Sequence, residues 1–206
     1  MPFVNVECVQ VGEIQTNCYL VENTETHELL IVDPGAQGEI IQKQVGSRRP
    51  VAVLLTHGHF DHIGAVDAVC EHYGIPLYIH EADAEKLLDP EKNVSLLFGG
   101  HVAVHTPPIK LQGGEQLLLG GLCLTVLHTP GHSKGGCCFL LPDGQGVLCG
   151  DTLFAAGYGR TDFADGNFTE LKQSLKMLFA LTPKQPAYPG HGEQGMTGRN
   201  ARGEAL

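Results

Sequence analysis

Basic residues are scarce in this chain. Lysine and arginine number 13 against 23 aspartates and glutamates, for a net charge of −10. The densest basic stretch is the pair Arg48-Arg49, so neither a nucleic acid nor an anionic membrane surface is expected as a partner. A small acid is less firmly excluded, because metal ions can reverse the charge of a pocket. No apolar run approaches membrane-spanning length, and the segment Met1-Pro2-Phe3-Val4-Asn5-Val6-Glu7 lacks the positive and apolar regions of a signal peptide. The seven cysteines contain no Cys-x-x-Cys spacing and lie mostly in apolar runs, where a thiol behaves as a small buried hydrophobe. A reducing cytoplasm is the expected location. Repeats, linkers and low-complexity segments are also missing. With 42% hydrophobic and 17% charged residues, the 206-residue chain reads as globular, and its length suits one domain over 1–206.

Short apolar runs bounded by turn residues are plentiful. Phe3 to Val11, Cys18 to Val21 and Leu29 to Val32 read as strands, and Val51 to Leu55 as a strand buried on both faces. A short helix is predicted with Ile40, Ile41 and Val45 on its inner face and Gly46 just past its end. Another is predicted over 62–73, with Ala65, Val66, Val69, Cys70 and Tyr73 on one stripe and Gly74 as the stop. Leu77 to Ile79 reads as a strand, and a further short helix reaches Leu88 before Pro90. Residues 90–114 carry no periodic signal; a loop of that length suits a lid.

Gly120-Gly121 and Pro142-Asp143-Gly144 mark two hairpins, 117–127 and 137–149. Asn167 and Glu170 are spaced as a capping box for a helix bearing Leu171, Leu175, Leu178 and Phe179. Ala187-Tyr188 is the last predicted strand. Strands mixed with helices, several joined as hairpins, point to an α+β arrangement with a mixed sheet or two sheets covered by helices.

The chemistry concentrates at strand ends. Thr56-His57-Gly58-His59-Phe60-Asp61-His62 packs four metal-competent side chains into six positions, directly after the strand 51–55. A helix cannot aim residues two apart at one ion, whereas a loop can. Imidazole nitrogens and carboxylate oxygens are suitable zinc ligands. A lone histidine in a loop is most often a surface residue; three with an aspartate after a buried strand are not readily explained that way. His132 (in Pro130-Gly131-His132), Asp151 (in Gly150-Asp151) and His191 (in Pro189-Gly190-His191) repeat the pattern of a ligand-type residue beside glycine after an apolar run. The other histidines, His27, His72, His80, His101, His105 and His128, have no such setting and read as structural or exposed. Cys137 and Cys138, neighbours on one strand, point to opposite faces and read as core.

His57-x-His59-x-Asp61-His62 with His132, Asp151 and His191 resembles the metal site of the metallo-β-lactamase superfamily. The resemblance runs over nearly the whole chain, including Val32-Asp33-Pro34-Gly35. It implies an αββα sandwich, two mixed sheets flanked by helices, with two divalent metal ions at one edge: zinc first, with iron or manganese as alternatives. His57, His59 and His132 would hold one ion, Asp61, His62 and His191 the other, with Asp151 bridging and Asp61 and Asp151 counted as catalytic. Asp33 would support the histidine loop from behind.

Thr16-Asn17-Cys18-Tyr19, Gly150 to Phe154 and Gly157 to Arg160 are similar to glyoxalase II, the hydroxyacylglutathione hydrolases, and the short length with Gly159 to Phe163 is most similar to its compact relatives. That implies hydrolysis of a small acyl-thiol such as S-lactoylglutathione by hydroxide attack on the thioester, with Tyr158 and Arg160 contacting the substrate. No counterpart of the helical C-terminal domain of full-length glyoxalase II is expected from these residues. Two rivals stand beside this reading. Gly159-Arg160-Thr161-Asp162-Phe163 is also similar to persulfide dioxygenases, which would use one iron on His57, His132 and Asp151. A non-catalytic, metal-stabilised binding protein is the other. Nothing in the residues sets the acyl group or the oligomeric state.

Overall fold

The structure is a computed structural model that describes residues 4–198. The first sheet contains β1 (Val4–Val11), β2 (Thr16–Asn23), β3 (Glu28–Val32), β4 (Arg49–Leu54), β5 (Leu77–His80) and β6 (Pro108–Leu111), side by side in chain order. β1 to β3 pair antiparallel and β3 to β6 parallel. Parallel neighbours need crossovers. Helices α1 (Gly38–Val45), α2 (Phe60–Ile63) and α3 (Val66–Tyr73) supply two of them, and 3₁₀ turns at 81–88 and 95–98 lie in the third.

The second sheet holds β7 (Gln116–Leu119), β8 (Leu122–His128), β9 (Cys137–Leu140), β10 (Val147–Gly150), β11 (Pro186–Pro189) and β12 (Gly195–Met196). Its pairs are antiparallel except β10 with β11, between which α4 (Phe168–Leu181) crosses.

Side-chain alternation builds the layers. On β3 and β4, Leu29, Ile31 and Val53 face α1 and α3, meeting Ile41, Val45, Val66 and Val69. The intervening Leu30, Val32, Ala52 and Leu54 face the second sheet, meeting Leu122, Leu124, Val126 and Phe139. The outer face of that sheet, with Cys138, Val147 and Cys149, packs on Leu178 of α4. Helix, sheet, sheet and helix are thus held by three cores, the expected αββα sandwich, and each fully buried leucine or isoleucine truncated to alanine costs about 2–5 kcal/mol. Cys137 and Cys138 do point to opposite faces, into different cores.

Several elements differ from the sequence reading. The helix expected over 62–73 breaks in two, because Ala65 N donates to Pro34 O (2.9 Å) rather than within the helix. The turn carrying Pro34 and Gly35 presses on α2 so closely that a Cβ at Gly35 would lie 1.6 Å from Asp61 O. Ile40, expected inside, is exposed; α1 buries the i, i+4 pair Ile41 and Val45. The helix before Pro90 is 3₁₀. Within 90–114 lies β6, an edge strand opening on proline, where the lost N–H is tolerated.

Asn167 caps α4 as expected, its Oδ1 accepting from Thr169 N (2.9 Å) and Glu170 N (3.2 Å). The return half of the capping box is not formed, since Asn167 N donates to Gly131 O instead (2.8 Å). That bond ties α4 to the loop carrying His132. Phe3, predicted to begin the first strand, lies outside the described residues. Among the described residues no helix is long and apolar enough to cross a membrane.

Candidate metal centre

The C-terminal ends of strands from both sheets meet at one edge of the sandwich, and the seven predicted ligand residues meet there. His57 and His59 lie in the loop after β4, and Asp61 and His62 in α2. His132 comes from the β8–β9 loop, Asp151 immediately after β10 and His191 just after β11. Their ligand atoms fall into three overlapping groups: His57, His59 and His132; Asp61, His62 and His191; and His57, His62 and Asp151. His59 Nδ1 and His132 Nε2 are 3.0 Å apart. His191 Nε2 is 3.1 Å and His62 Nε2 3.4 Å from Asp61 Oδ2. Asp151 stands between, with Oδ1 3.5 Å from His62 Nε2 and Oδ2 3.5 Å from His132 Nε2. Close packing is required here: a Cβ at Gly190 would fall 2.2 Å from Asp151 Oδ1.

The fit to metal ions rests on polar atoms that protein does not satisfy. His57 Nε2, His62 Nε2 and Asp151 Oδ1 are fully buried without a hydrogen-bond partner, an arrangement that costs about 1–3 kcal/mol per group unless something else pairs with it. The opposite ring nitrogens are engaged. His62 Nδ1 donates to Asp33 Oδ2 (2.9 Å) and His132 Nδ1 to the Arg160 carbonyl (2.7 Å). Thr56 Oγ1 donates to Asp33 Oδ2 (2.6 Å) and so accepts from His57 Nδ1 (3.1 Å). With Nδ1 protonated by these partners, each Nε2 lone pair faces the cluster, the arrangement a metal ligand needs.

Charge points the same way. Burial opposes a charge on His62, yet Asp61, Asp33 and Asp151 push its pKa up to about 10. Burial would raise the Asp61 carboxyl, but His62 and the His191 hydrogen bond hold it well below the usual range. His57 and His59 are pushed well down by burial and by each other's company with His62 and His132. Carboxylates thus draw positive charge onto His62 while His57 and His59 resist protonation, a set of charges and lone pairs suited to a divalent cation.

Asp33 lies behind the histidine loop, with Oδ1 also accepting from Thr56 N (2.8 Å). It adopts φ 52°, a left-handed conformation costing about 1–3 kcal/mol off glycine and typical of functional sites. Tyr158 and Arg160 line a cavity of about 380 Å³ over the cluster, with Phe60, Phe98, Phe154 and Phe163. The Arg160 guanidinium is not idle: Nε and Nη2 donate to the two Asp162 oxygens (2.6 and 2.7 Å), and it lies 4.4 Å over the Phe163 ring.

Sequence reasoning missed the braces between loops. Asp83, fully buried, accepts from Gly58 N (2.9 Å) with one oxygen and from Gly135 N (2.7 Å) with the other, joining the loops of His57 and His132. Lys86 lies 3.5 Å from Asp83 and 2.7 Å from Asp165, which in turn accepts from Lys134 N. Partners 25 and 52 residues away leave no local signal. Thr16 and Asn17 were noticed for their resemblance, and their work is now visible. Thr16 donates to Asp61 Oδ2 (3.1 Å), and Asn17 Nδ2 holds the carbonyls of Pro189 and Gly192 around His191.

Residues 11–191 match the family model of the metallo-β-lactamase superfamily. The chain belongs to that superfamily. Among curated relatives, this metallo-β-lactamase-fold protein is 38% identical to the probable metallo-hydrolase YqgX of Bacillus subtilis, covering 89% of this chain and 88% of the relative. It is 30% identical to the hydroxyacylglutathione hydrolase GloC of Haemophilus influenzae, over 97% and 96% of the two chains. The crystal structure of BLEG-1 B3 metallo-β-lactamase superposes with a TM-score of 0.89 at 36% identity, covering 94% and 95%. That of TTHA1623 in a di-iron-bound form gives 0.85 at 35%, covering 96% and 98%.

Proposed function

We propose that this metallo-β-lactamase superfamily member hydrolyses a small acyl-thiol thioester, of which S-lactoylglutathione is the first candidate, at a centre of two divalent ions. The observation that carries the reading is the placement of Asp151, one oxygen toward His62 and the other toward His132, between two complete three-residue groups. His57, His59 and His132 would hold one ion and Asp61, His62 and His191 the other, with Asp151 shared. When bound, such a pair supplies a nucleophilic hydroxide at neutral pH and Lewis-acid stabilisation of a developing oxyanion. Zinc suits the imidazole and carboxylate donors; the di-iron form of a 35%-identical structure keeps iron open.

The chain's own residues do the rest. Asp33 and Thr56 fix the rings of His57 and His62, and the Arg160 carbonyl fixes His132. The phenylalanines of the cavity exclude water around the reacting carbonyl. Arg160 keeps its Nη1 edge for a substrate carboxylate, with Tyr158 beside it. A thiolate leaving group, with a pKa of roughly 8.5, departs without a dedicated acid. GloC supports the thioester, being a hydroxyacylglutathione hydrolase of matching length. A persulfide dioxygenase using one iron on His57, His132 and Asp151 would leave the group of Asp61, His62 and His191 without a task.

The test is S-lactoylglutathione hydrolysis by zinc-loaded and chelator-stripped protein side by side. Metal-dependent thioester loss is the expected result. No turnover in either sample, with oxygen uptake on a glutathione persulfide by iron-loaded protein, would replace the hydrolase by the dioxygenase.

A further inference from the structure

Two cavities meet over the cluster. Beside the 380 Å³ cavity lies a second of about 480 Å³, and the two share Ile14, Phe60, Asp61 and Phe98. A thioester also has two arms, which diverge from the reacting carbonyl. The walls differ in chemistry. The first cavity includes the Arg160 guanidinium. The second adds Ala36, Val102 and glycine backbone, and among the described residues its charged groups are Glu13 and Asp61, both acidic. Its other polar side chains are turned to the protein: Gln37 Oε1 accepts from Gly12 N (2.9 Å), and Thr16 Oγ1 donates to Asp61.

Accepting the thioester reading, we infer that the second cavity is the acyl subsite and that it selects an uncharged, apolar acyl chain. A carboxylate on the acyl group would lose part of its hydration there and meet the exposed Glu13 carboxylate with, among the described residues, no cationic side chain to pair with. Asp61, which lines both cavities, would be offset by the ion it holds. Methylenes would instead cover the exposed Ile14 and Phe98 and the half-buried Val102. The charged or polar end of a thiol carrier belongs on the Arg160 side. The site is therefore built for an acyl group longer than lactoyl.

The experiment uses zinc-loaded protein and straight-chain thioesters of one small thiol, N-acetylcysteamine, from acetyl to octanoyl, with succinyl beside butyryl. Partial removal of each methylene from water in the open groove predicts kcat/KM rising about two- to threefold per methylene. Phe98→Ala and Ile14→Ala, at exposed positions, should each cut the octanoyl-to-acetyl ratio at least fivefold. Succinyl should be at least tenfold slower than butyryl, the gap narrowing in Glu13→Gln. Turnover with no dependence on chain length would overturn the acyl subsite and leave the hydrolase standing. Should no thioester react, calorimetric binding of the S-octyl and S-ethyl thioethers separates the two ideas. Preference for octyl, lost in Phe98→Ala, would overturn the hydrolase and keep the apolar subsite; equal binding would overturn both.

Discussion

The two halves of the molecule bring their ligands to the centre in different ways. The first half, β1 to β6, delivers His57, His59, Asp61 and His62 from one stretch of six residues, and His57, His59 and His62 are buried almost completely. The second half, β7 to β12, delivers His132, Asp151 and His191 singly, from three strand ends, with the Asp151 and His191 side chains 11% and 26% exposed. Yet each of the three ligand groups mixes residues from both halves. An ion held by any one of these groups would therefore tie the two sheets together.

Asp151→Ala tests that shared design most severely. It removes the carboxylate facing both groups, so kcat should fall roughly a thousandfold or more, equivalent to several kcal/mol of transition-state stabilisation. Metal analysis should find fewer than two ions per chain. Full activity with two ions retained would end the shared role of Asp151. Asp83→Asn attacks the brace between the halves. It replaces a charged acceptor of two backbone N–H groups by an amide that can serve only one, and should lower stability by about 2–4 kcal/mol in urea unfolding. An unchanged midpoint would mean the loops of His57 and His132 are held independently.

Arg160→Ala probes the exposed rim of the second half. A guanidinium binding a substrate carboxylate predicts a KM on S-lactoylglutathione raised about tenfold with kcat within a few-fold, and an unmoved KM would remove Arg160 from substrate contact.

Asp67→Asn should have the smallest effect. Asp67 accepts from His105 N, Thr106 N and Thr106 Oγ1, tying the connector before β6 to α3. Partial burial works to raise its carboxyl, but these hydrogen bonds outweigh it and set the native pKa below the ordinary value. The stabilisation is therefore complete above the unfolded pKa of about 3.9 and is lost as pH falls through the lower native one. The difference in Tm between wild type and variant should shrink from pH 6 to pH 3. A constant difference would show that Asp67 does not sense pH.

The centre was legible in the chain to the extent that connectivity alone creates proximity. His57 to His62 share one loop and one helical turn, so their clustering needs no knowledge of the fold. Asp151 and His191 stood out only as ligand-type residues beside glycines. Their nearness comes from the parallel pairing of β10 with β11, which sets Gly150 beside Pro189. The braces were invisible, since Asp83 sits mid-way along an ordinary-looking amphipathic segment and acts only through loops brought to it by packing. β6 escaped for a related reason: four residues at a sheet edge carry too little periodicity to register.

By itself, then, the sequence determined most of the longer elements, the alternating strand faces and the donor chemistry, because these follow from local backbone preference and from which side chains can ligate an ion. Tertiary structure alone decided how seven donors separated by up to 134 positions (His57 to His191) share one pocket, which ring nitrogen each histidine turns inward, and how two cavities divide the space above. Those properties depend on sheet register and on packing between distant segments, and no local stretch of chain contains them.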